Sequence, residues 1–337
     1  MKLKLDGIGI FVNDMRIRTY KTKDVFKKIL RYTLFLFLFI ILLGLSMSEN
    51  PEFSDGPMFL GEKPTENEFS IISYNVFLRP KIISRNEKTI ERAYQISNWL
   101  KSTGVDVITL QETFEGGAVN LILEILKEEY PYYVRDMPRP KGLKFVSGGL
   151  LVLSKWPIIE SKSIIYKDCH GYDCLAAKGA LFVNIHYKEK QFFNIITTHL
   201  DAGSDEKDNK ARKSQLKELN AFGNHVSKGS EIIFTGDFNI NSLSLSNEYQ
   251  EMIELLNVKD FSVGQKSTIN CTGNKINCKD SLTNSRLDYI FIRNNSTVFD
   301  FKNLKYFELS TENIDDVNFL SDHILIFAKL EIKEKHE

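Results

Sequence analysis

The chain has 337 residues, enough for one large domain or two ordinary ones, and its 42% hydrophobic and 26% charged residues are those of a globular protein. Basic and acidic residues number 44 each, but residues 1–46 hold nine Lys/Arg against three Asp, which leaves the remainder acidic, 35 against 41. An enzyme acting on nucleic acid usually carries a basic surplus to neutralise phosphates, so this balance argues against a DNA or RNA substrate.

Residues 33–45 are an almost unbroken run of Leu, Phe and Ile that follows Lys27, Lys28 and Arg31. The run is shorter than the ~20 residues that span a bilayer comfortably. A basic lead, this run and the small-x-small site Ser46-Met47-Ser48 predict a secretory signal peptide over residues 1–48, with an uncleaved signal anchor as the alternative. The lead is long for a signal peptide, and a start at Met15 would shorten it to an ordinary one. Residues 49–68, rich in Pro, Gly and acid, read as a linker. A single domain is expected over residues 69–333. The protein is therefore expected to be secreted, or tethered to a membrane by the N-terminal run.

Residues 69–76 alternate and are β-branched, which predicts a strand. Ile90, Ala93, Ile96 and Leu100 recur at helical spacing, so residues 88–102 predict a helix that Gly104 ends. A strand follows over 105–110, with Gln111 and Glu112 at its C-terminal end. Residues 118–130 predict a second helix, closed by Pro131. Strands are expected over 148–153, 181–187 and 192–198, a helix over 211–226, then strands over 231–235, 287–293 and 323–332. Strand–helix alternation with several hairpins suggests an α/β protein of mixed sheets. Two sheets face to face with helices outside would use this many strands in one domain. The four cysteines fall as two close pairs, Cys169/Cys174 and Cys271/Cys278, for which local pairing is the expectation among three connectivities.

Polar signatures follow the apolar runs: Leu110-Gln111-Glu112, Thr198-His199-Leu200, Gly236-Asp237-Phe238-Asn239, Arg286-Leu287-Asp288-Tyr289 and Ser321-Asp322-His323. Carboxylates for a divalent metal, imidazoles, and amides for phosphate oxygens are what phosphodiester hydrolysis needs. Glu112 and Asn75 offer hard oxygen atoms of the kind Mg²⁺ takes. Asp237 and Asn239, two apart in extended chain, would point the same way. A His with a carboxylate partner can act as a general base near neutral pH, and His323 is the candidate. Asp288 is the expected partner, because Asp322 points to the opposite face of an extended segment. His170, His186, His225 and His336 have no such context and read as surface residues.

Taken together and in this order, these signatures resemble the endonuclease/exonuclease/phosphatase superfamily, the DNase I-like fold. The resemblance runs from about residue 69 to 332. It implies a four-layer α/β sandwich and a phosphodiesterase that uses Mg²⁺ or another divalent cation. It places Asn75 and Glu112 at the metal, His199 on phosphate, Asp237 and Asn239 on water and phosphate, and Asp288, Asp322 and His323 at the base. Residues 147–158 and 173–179 are similar to neutral sphingomyelinases, as is Arg212 with Gln215-Leu216 after Thr198-His199-Leu200. In that family an Asp and a Lys five residues apart act at the substrate entrance, which falls here on Asp173 and Lys178. The Trp-Cys-Asp-Arg motif of inositol phosphatases is replaced by Asn284-Ser285-Arg286-Leu287.

Two departures stand out. Asp201 occupies a position where the family often has Gln, adding a carboxylate. Residues 308–318, where bacterial sphingomyelinases carry a membrane-dipping aromatic hairpin, are acidic here, with Phe307 and Phe319 the nearest aromatics. Leu143 and Phe145, beside Lys141 and Lys144, offer another contact. The expected reaction is hydrolysis of sphingomyelin to ceramide and phosphocholine at a phospholipid surface, by a monomer. The alternatives are a secreted nuclease or other phosphate-ester phosphatase, and a non-catalytic lipid-binding paralogue.

Overall fold

The computed structural model describes residues 67–84, 87–135, 144–188, 191–262, 266–269, 284–293, 298–311, 314 and 317–333. The expected signal segment and linker, Cys271, Cys278, Lys141, Leu143 and His336 lie outside the described residues. In chain order the elements begin with β1 (Glu68–Leu78), α1 (Thr89–Thr103), β2 (Val107–Thr113), α2 (Gly116–Leu126), β3 (Tyr132–Arg135), β4 (Leu151–Ser154) and β5 (Ile158–Ile165). A 3₁₀ turn (Gly171–Leu175) precedes β6 (Gly179–Tyr187), β7 (Gln191–His199), α3 (Glu206–Ser227) and β8 (Ile232–Asp237). The chain continues through α4 (Glu248–Leu256), β9 (Val258–Lys259), β10 (Asp288–Arg293), β11 (Phe299–Phe307) and β12 (Leu325–Ile332).

The strands form two six-stranded sheets, β11-β12-β1-β2-β4-β3 and β5-β6-β7-β8-β10-β9. Pairing is antiparallel except for β1 with β2 and β7 with β8. Each parallel pair sends two strand ends to one side, and those ends carry Asn75, Glu112, His199 and Asp237.

The layers follow from alternation along each strand. Ile72, Tyr74, Ile108 and Leu110 face outward from the first sheet onto Ala93, Ile96 and Leu100 of α1 and Val119 and Ile122 of α2. Phe182, Ile196, Phe234 and Phe291 do the same in the second sheet against Leu216 and Leu219 of α3 and Met252 and Leu256 of α4. Phe69, Ile71, Val107, Val183, Ile195, Ile233 and Ile290 fill the space between the sheets. The result is the expected four-layer α/β sandwich. Gly104 ends α1 in a left-handed conformation, φ 65°, which glycine adopts without steric cost.

The inter-sheet interior changes character along its length. On β1 the inward residues run Phe69, Ile71, Ser73, Asn75, and on β2 Val107, Thr109, Gln111. On β7 they run Phe193, Ile195, Thr197, His199, and on β8 Ile233, Thr235, Asp237. All are buried. Apolar groups give way to hydroxyls and amides, then to ionisable groups. Gln111 Nε2 joins the two sheets in this middle layer, donating to Thr197 Oγ1 at 3.1 Å and Ser73 Oγ at 3.3 Å.

Several expectations needed revision. Gln111 and Glu112 lie within β2 rather than beyond it. Asn239 is not extended but left-handed, φ 52°. Strands β3, β5, β9 and β11 and helix α4 went unread from the sequence. Those four strands are the edges of the two sheets. An edge strand is covered on fewer sides and tolerates polar residues, as Glu160, Lys162, Asp300 and Lys302 show, so its hydrophobic signal is weak.

Arg92, on α1, is fully buried and was not singled out by any motif. Its guanidinium donates to the carbonyls of Glu87, Val76, Leu320 and Phe77 at 2.7–3.1 Å. It therefore ties the chain following Asn75 to the chain preceding Ser321-Asp322-His323. Arg92→Met keeps much of the volume and strands several buried carbonyls, so stability should fall by about 3 kcal/mol or more. A denaturant midpoint unchanged from the parent chain would refute that role.

Candidate active site

Asn75 sits at the centre of the strand ends. Its Nδ2 donates to Glu112 Oε1 at 3.0 Å and Asp237 Oδ2 at 3.1 Å, and lies 3.4 Å from His323 Nε2. One amide thus meets groups from β2, β8 and the segment before β12. Its Oδ1 accepts from the backbone N–H of Phe77 at 3.1 Å. Ligation of a cation through that oxygen requires the amide to turn, whereas Glu112 needs no such change. Strand alternation would send Glu112 opposite to Gln111. Its left-handed backbone, φ 57°, redirects it to Asn75, a strained conformation of the kind found at functional sites. Gly236 has a matching constraint: with φ 135°, its added Cβ would lie 2.0 Å from Thr198 O, so only glycine lets β8 approach β7 here.

His323 and Asp288 meet, with Nδ1 2.8 Å from Asp288 Oδ2. The other ring nitrogen of His323 lies 3.6 Å from Asp237 Oδ2. Ser321 Oγ donates to Asn75 O at 2.6 Å and accepts from His323 N at 3.1 Å, which fixes the segment against β1. Asp322 does not bind the ring; it lies close enough to Glu112 to act on its charge. His199 Nε2 lies 3.5 Å from Asp237 Oδ2, 4.0 Å from Glu112 Oε1 and 3.1 Å from Lys178 Nζ. Asn239 folds back, its N–H donating to Asp237 Oδ1 at 2.9 Å and its Nδ2 to Leu200 O at 3.0 Å.

The electrostatics are those of carboxylates in excess. Burial, reinforced by Asp322, pushes Glu112 up to about 7. Burial pushes Asp237 up to about 6, opposed by His323 and reinforced by Asp288. Burial raises Asp322 as well. At His323 burial disfavours the charged ring, yet Asp288 and Asp237 outweigh it and hold the pKa well above its ordinary value. His199 goes the other way, kept neutral by burial and by the Lys178 ammonium. Two triads sharing Asp237 bring ligand atoms close together: Glu112 with His199, and Asp288 with His323. Crowded carboxylates that hold protons near neutral pH, with hard oxygen atoms facing one space, fit a divalent cation such as Mg²⁺ beside Glu112.

Asp173 and Lys178, the residues expected at a substrate entrance, also come together. Lys178 is buried; its Nζ lies 2.9 Å from Asp173 Oδ1 and donates to Leu200 O at 2.8 Å. Asp173 Oδ2 in turn accepts from Ala202 N. Asp173 and Lys178 therefore adjoin His199, although they come from a different segment. Asp201 does not join the carboxylate cluster: its oxygens accept from Gln215 Nε2 at 2.9 Å and His170 N at 2.6 Å. Arg212 grips the carbonyls of Asp201 and Gly203. These contacts fasten the loop after His199.

His170, read as a surface residue, is instead half-buried, its ring 2.6 Å from Asp208. Asp208 and Asp205 form the capping box of α3, which accounts for that His–Asp–Asp group as a helix terminus. His186 stacks on Phe192 and His225 is exposed. Cys169 and Cys174 are disulfide-bonded, as expected. Residues 307–311 and 317–320 turn Leu309, Val317 and Leu320 into the core. The buried polar residues Ser73, Gln111, Thr197 and Thr235 beneath the site were missed. Their signal was the shared inward register: Ser73, Thr197 and Thr235 lie two residues before Asn75, His199 and Asp237, and Gln111 directly precedes Glu112.

The chain matches the model of the Endonuclease/Exonuclease/phosphatase family over residues 72–323. It is 31% identical over 249 residues to Sphingomyelinase C of Listeria ivanovii, covering 67% of this chain and 73% of that protein. Sphingomyelinase C 2 of Leptospira interrogans is also 31% identical, over 278 residues, with 76% of this chain but only 44% of the relative's length covered. Among solved structures, a beta toxin variant from Staphylococcus aureus with bound magnesium ions superposes with a TM-score of 0.65 at 26% identity, covering 79% of this chain and all of that one. A sandwich of two mixed sheets, strand ends that gather carboxylates and imidazoles, and these similarities together place the chain in the endonuclease/exonuclease/phosphatase superfamily of divalent-metal-dependent hydrolases, in its sphingomyelinase C branch.

Proposed function

We propose that the chain hydrolyses sphingomyelin to ceramide and phosphocholine, with Mg²⁺ as the physiological cation. The observation that carries this reading is the Asp288–His323 pair beside Glu112, reached past the Asp173–Lys178 pair, whose Asp173 is half-buried and whose Lys178 is buried. Asp288 fixes the ring through Nδ1 and leaves Nε2 facing the space among Asn75, Asp237 and His199. In its neutral form, which a divalent cation beside Glu112 would favour, the ring takes a proton at Nε2 from the water that attacks phosphorus in line with the ester. The bond from phosphorus to the ceramide oxygen breaks, that oxygen takes a proton from solvent, and His323 gives its proton up to solvent, which restores the base. Glu112, with Asn75 beside it, would hold a divalent cation, which would supply positive charge against the charge developing on phosphorus and the leaving oxygen. Asp237 orients the water. His199, neutral at working pH, and Asn239 hold the non-bridging oxygens, and Lys178 presents a point charge to the phosphodiester anion. Asp322 acts on Glu112 through its charge.

The relatives named as sphingomyelinases support the lipid substrate, and so does the acidic balance outside residues 1–46. The proposed setting is the cell exterior, with the N-terminal run as signal or tether. Among the described residues no helix is long and apolar enough to cross a membrane.

Removing the base should lower kcat ~10²–10⁴-fold, so His323→Ala should release almost no phosphocholine while remaining folded, as a cooperative unfolding transition shows. Near-parental turnover by that variant excludes His323 as the base. The parent chain should release phosphocholine from sphingomyelin in Mg²⁺ and stop in chelator; plasmid cleavage without sphingomyelin turnover would favour a nuclease instead. Asp288→Asn should give a second signature. Asp288 favours the charged ring, so its loss lowers the His323 pKa, and the acid limb of the kcat/KM profile should move to lower pH as kcat drops. A limb that stays in place would assign it to another group.

A further inference from the structure

The 3₁₀ turn that supplies Asp173 has an apolar outer face. Tyr172 is 93% exposed, Leu175 43% and Phe145 72%. Residues three apart eclipse in a 3₁₀ helix, so Tyr172 and Leu175 lie on one face of the turn. Phe145 joins them, its N–H donating to Leu175 O at 2.7 Å, and Val146 pairs with Ala176. Between Tyr172 and Leu175 in sequence, Asp173 reaches inward to Lys178, which reaches His199. One short turn therefore holds both the entrance ion pair and a cluster of large side chains bared to solvent.

This turn is braced on three sides. Cys169 and Cys174 are joined, Ala202 N donates to Asp173, and Lys144 Nζ donates to Ala176 O at 3.2 Å. The exposed side chains thus stand on fixed backbone, which lowers the ordering cost of inserting them elsewhere. Charge narrows the partner. Among the described residues, Asp173 is matched by Lys178 and the Lys144 ammonium is opposed by the Asp201 carboxylate, so the cluster presents no cationic surplus for an anionic surface.

We infer that Phe145, Tyr172 and Leu175 form the surface by which this chain docks on a bilayer of zwitterionic choline lipid, setting the Asp173–Lys178 pair at headgroup level; the choice of lipid rests on the sphingomyelinase reading. Tyr suits such a boundary, with an apolar ring and a polar tip. Docking at this turn delivers a headgroup to the entrance without the lipid leaving the bilayer.

Two readouts on the full-length chain test this. Tyr172→Trp, given sphingomyelin–phosphatidylcholine vesicles with brominated acyl chains, should lose tryptophan emission beyond the parent chain, which retains Trp99 and Trp156. Phe192→Trp is the control. Phe192 is 55% exposed but begins β7, seven residues and roughly 23 Å of strand from His199. It should show no added quenching. This reading is local, so membrane contact by residues 33–45 does not mimic it. In the second readout, Phe145→Ser with Tyr172→Ser should lower turnover on those vesicles roughly tenfold or more, as loss of buried aromatic surface demands. Hydrolysis of soluble p-nitrophenylphosphorylcholine should stay within about twofold of the parent, on the same argument. Equal quenching at positions 172 and 192, quenching only on phosphatidylglycerol vesicles, or an unchanged ratio of vesicle to soluble turnover overturns the docking surface. Quenching at 172 with no turnover of either substrate by the parent chain would uphold the surface and refute the sphingomyelinase reading.

Discussion

The structure depends on burying a set of ionisable groups between two β-sheets. An isolated charge in such a place costs several kcal/mol, and a half-satisfied polar network is worse than an apolar core. The interior meets this cost by degrees. Apolar residues seal the sandwich, then Ser73, Gln111, Thr197 and Thr235 form a hydroxyl and amide floor, and only then do Asn75, His199 and Asp237 appear. The bond from Gln111 to Thr197 joins the sheets at that floor. The Asn75 amide joins them again one layer higher, between Glu112 and Asp237. Parallel pairing of β1 with β2 and of β7 with β8 makes the arrangement possible, because each pair ends on the same side.

Around this interior, the loops are held mainly by side chains gripping backbone carbonyls. Arg92 gathers the chain after Asn75 and the chain before His323. Arg212 and Gln215 do the same for the loop after His199 and for the segment leading to the disulfide. Arg is suited to the task, since its planar fork satisfies several acceptors and keeps its charge when buried. The Asp173–Lys178 pair inherits this rigidity. Asp173 and Lys178 are fixed from below by Leu200 and Ala202, and the apolar face of the same turn is left to the outside.

The eight strands legible in the sequence are the interior ones, and the four edge strands were not. Interior strands are packed on both faces and surrounded by neighbours, so they must be apolar and β-branched. Edge strands such as β5 and β11 alternate charges with apolar residues and resemble loops. For the site, the residue types and their order along the chain were enough to indicate the superfamily, because the signatures end β2, β7 and β8 or open onto β10 and β12, whose apolar runs mark them; residues 147–158 and 173–179 indicated the branch. The buried polar residues beneath the site escaped notice. A Gln or Thr inside a strand looks like any polar residue until the opposite sheet supplies its partner.

The sequence by itself determined the layers, the core strands and the inventory of ionisable groups, since local periodicity and composition encode them directly. Tertiary structure alone decided how those groups act on one another. Nothing local indicates that Glu112 leaves the strand register through a left-handed backbone, that Asn75 turns its nitrogen to the carboxylates, or that Asp201 faces Gln215 rather than the site. Nor does local sequence show burial and Lys178 driving the His199 pKa down while Asp288 and Asp237 drive that of His323 up. Those outcomes follow from burial and from charges brought within a few ångströms by residues up to 248 positions apart, and such proximity exists only once both sheets have closed on each other.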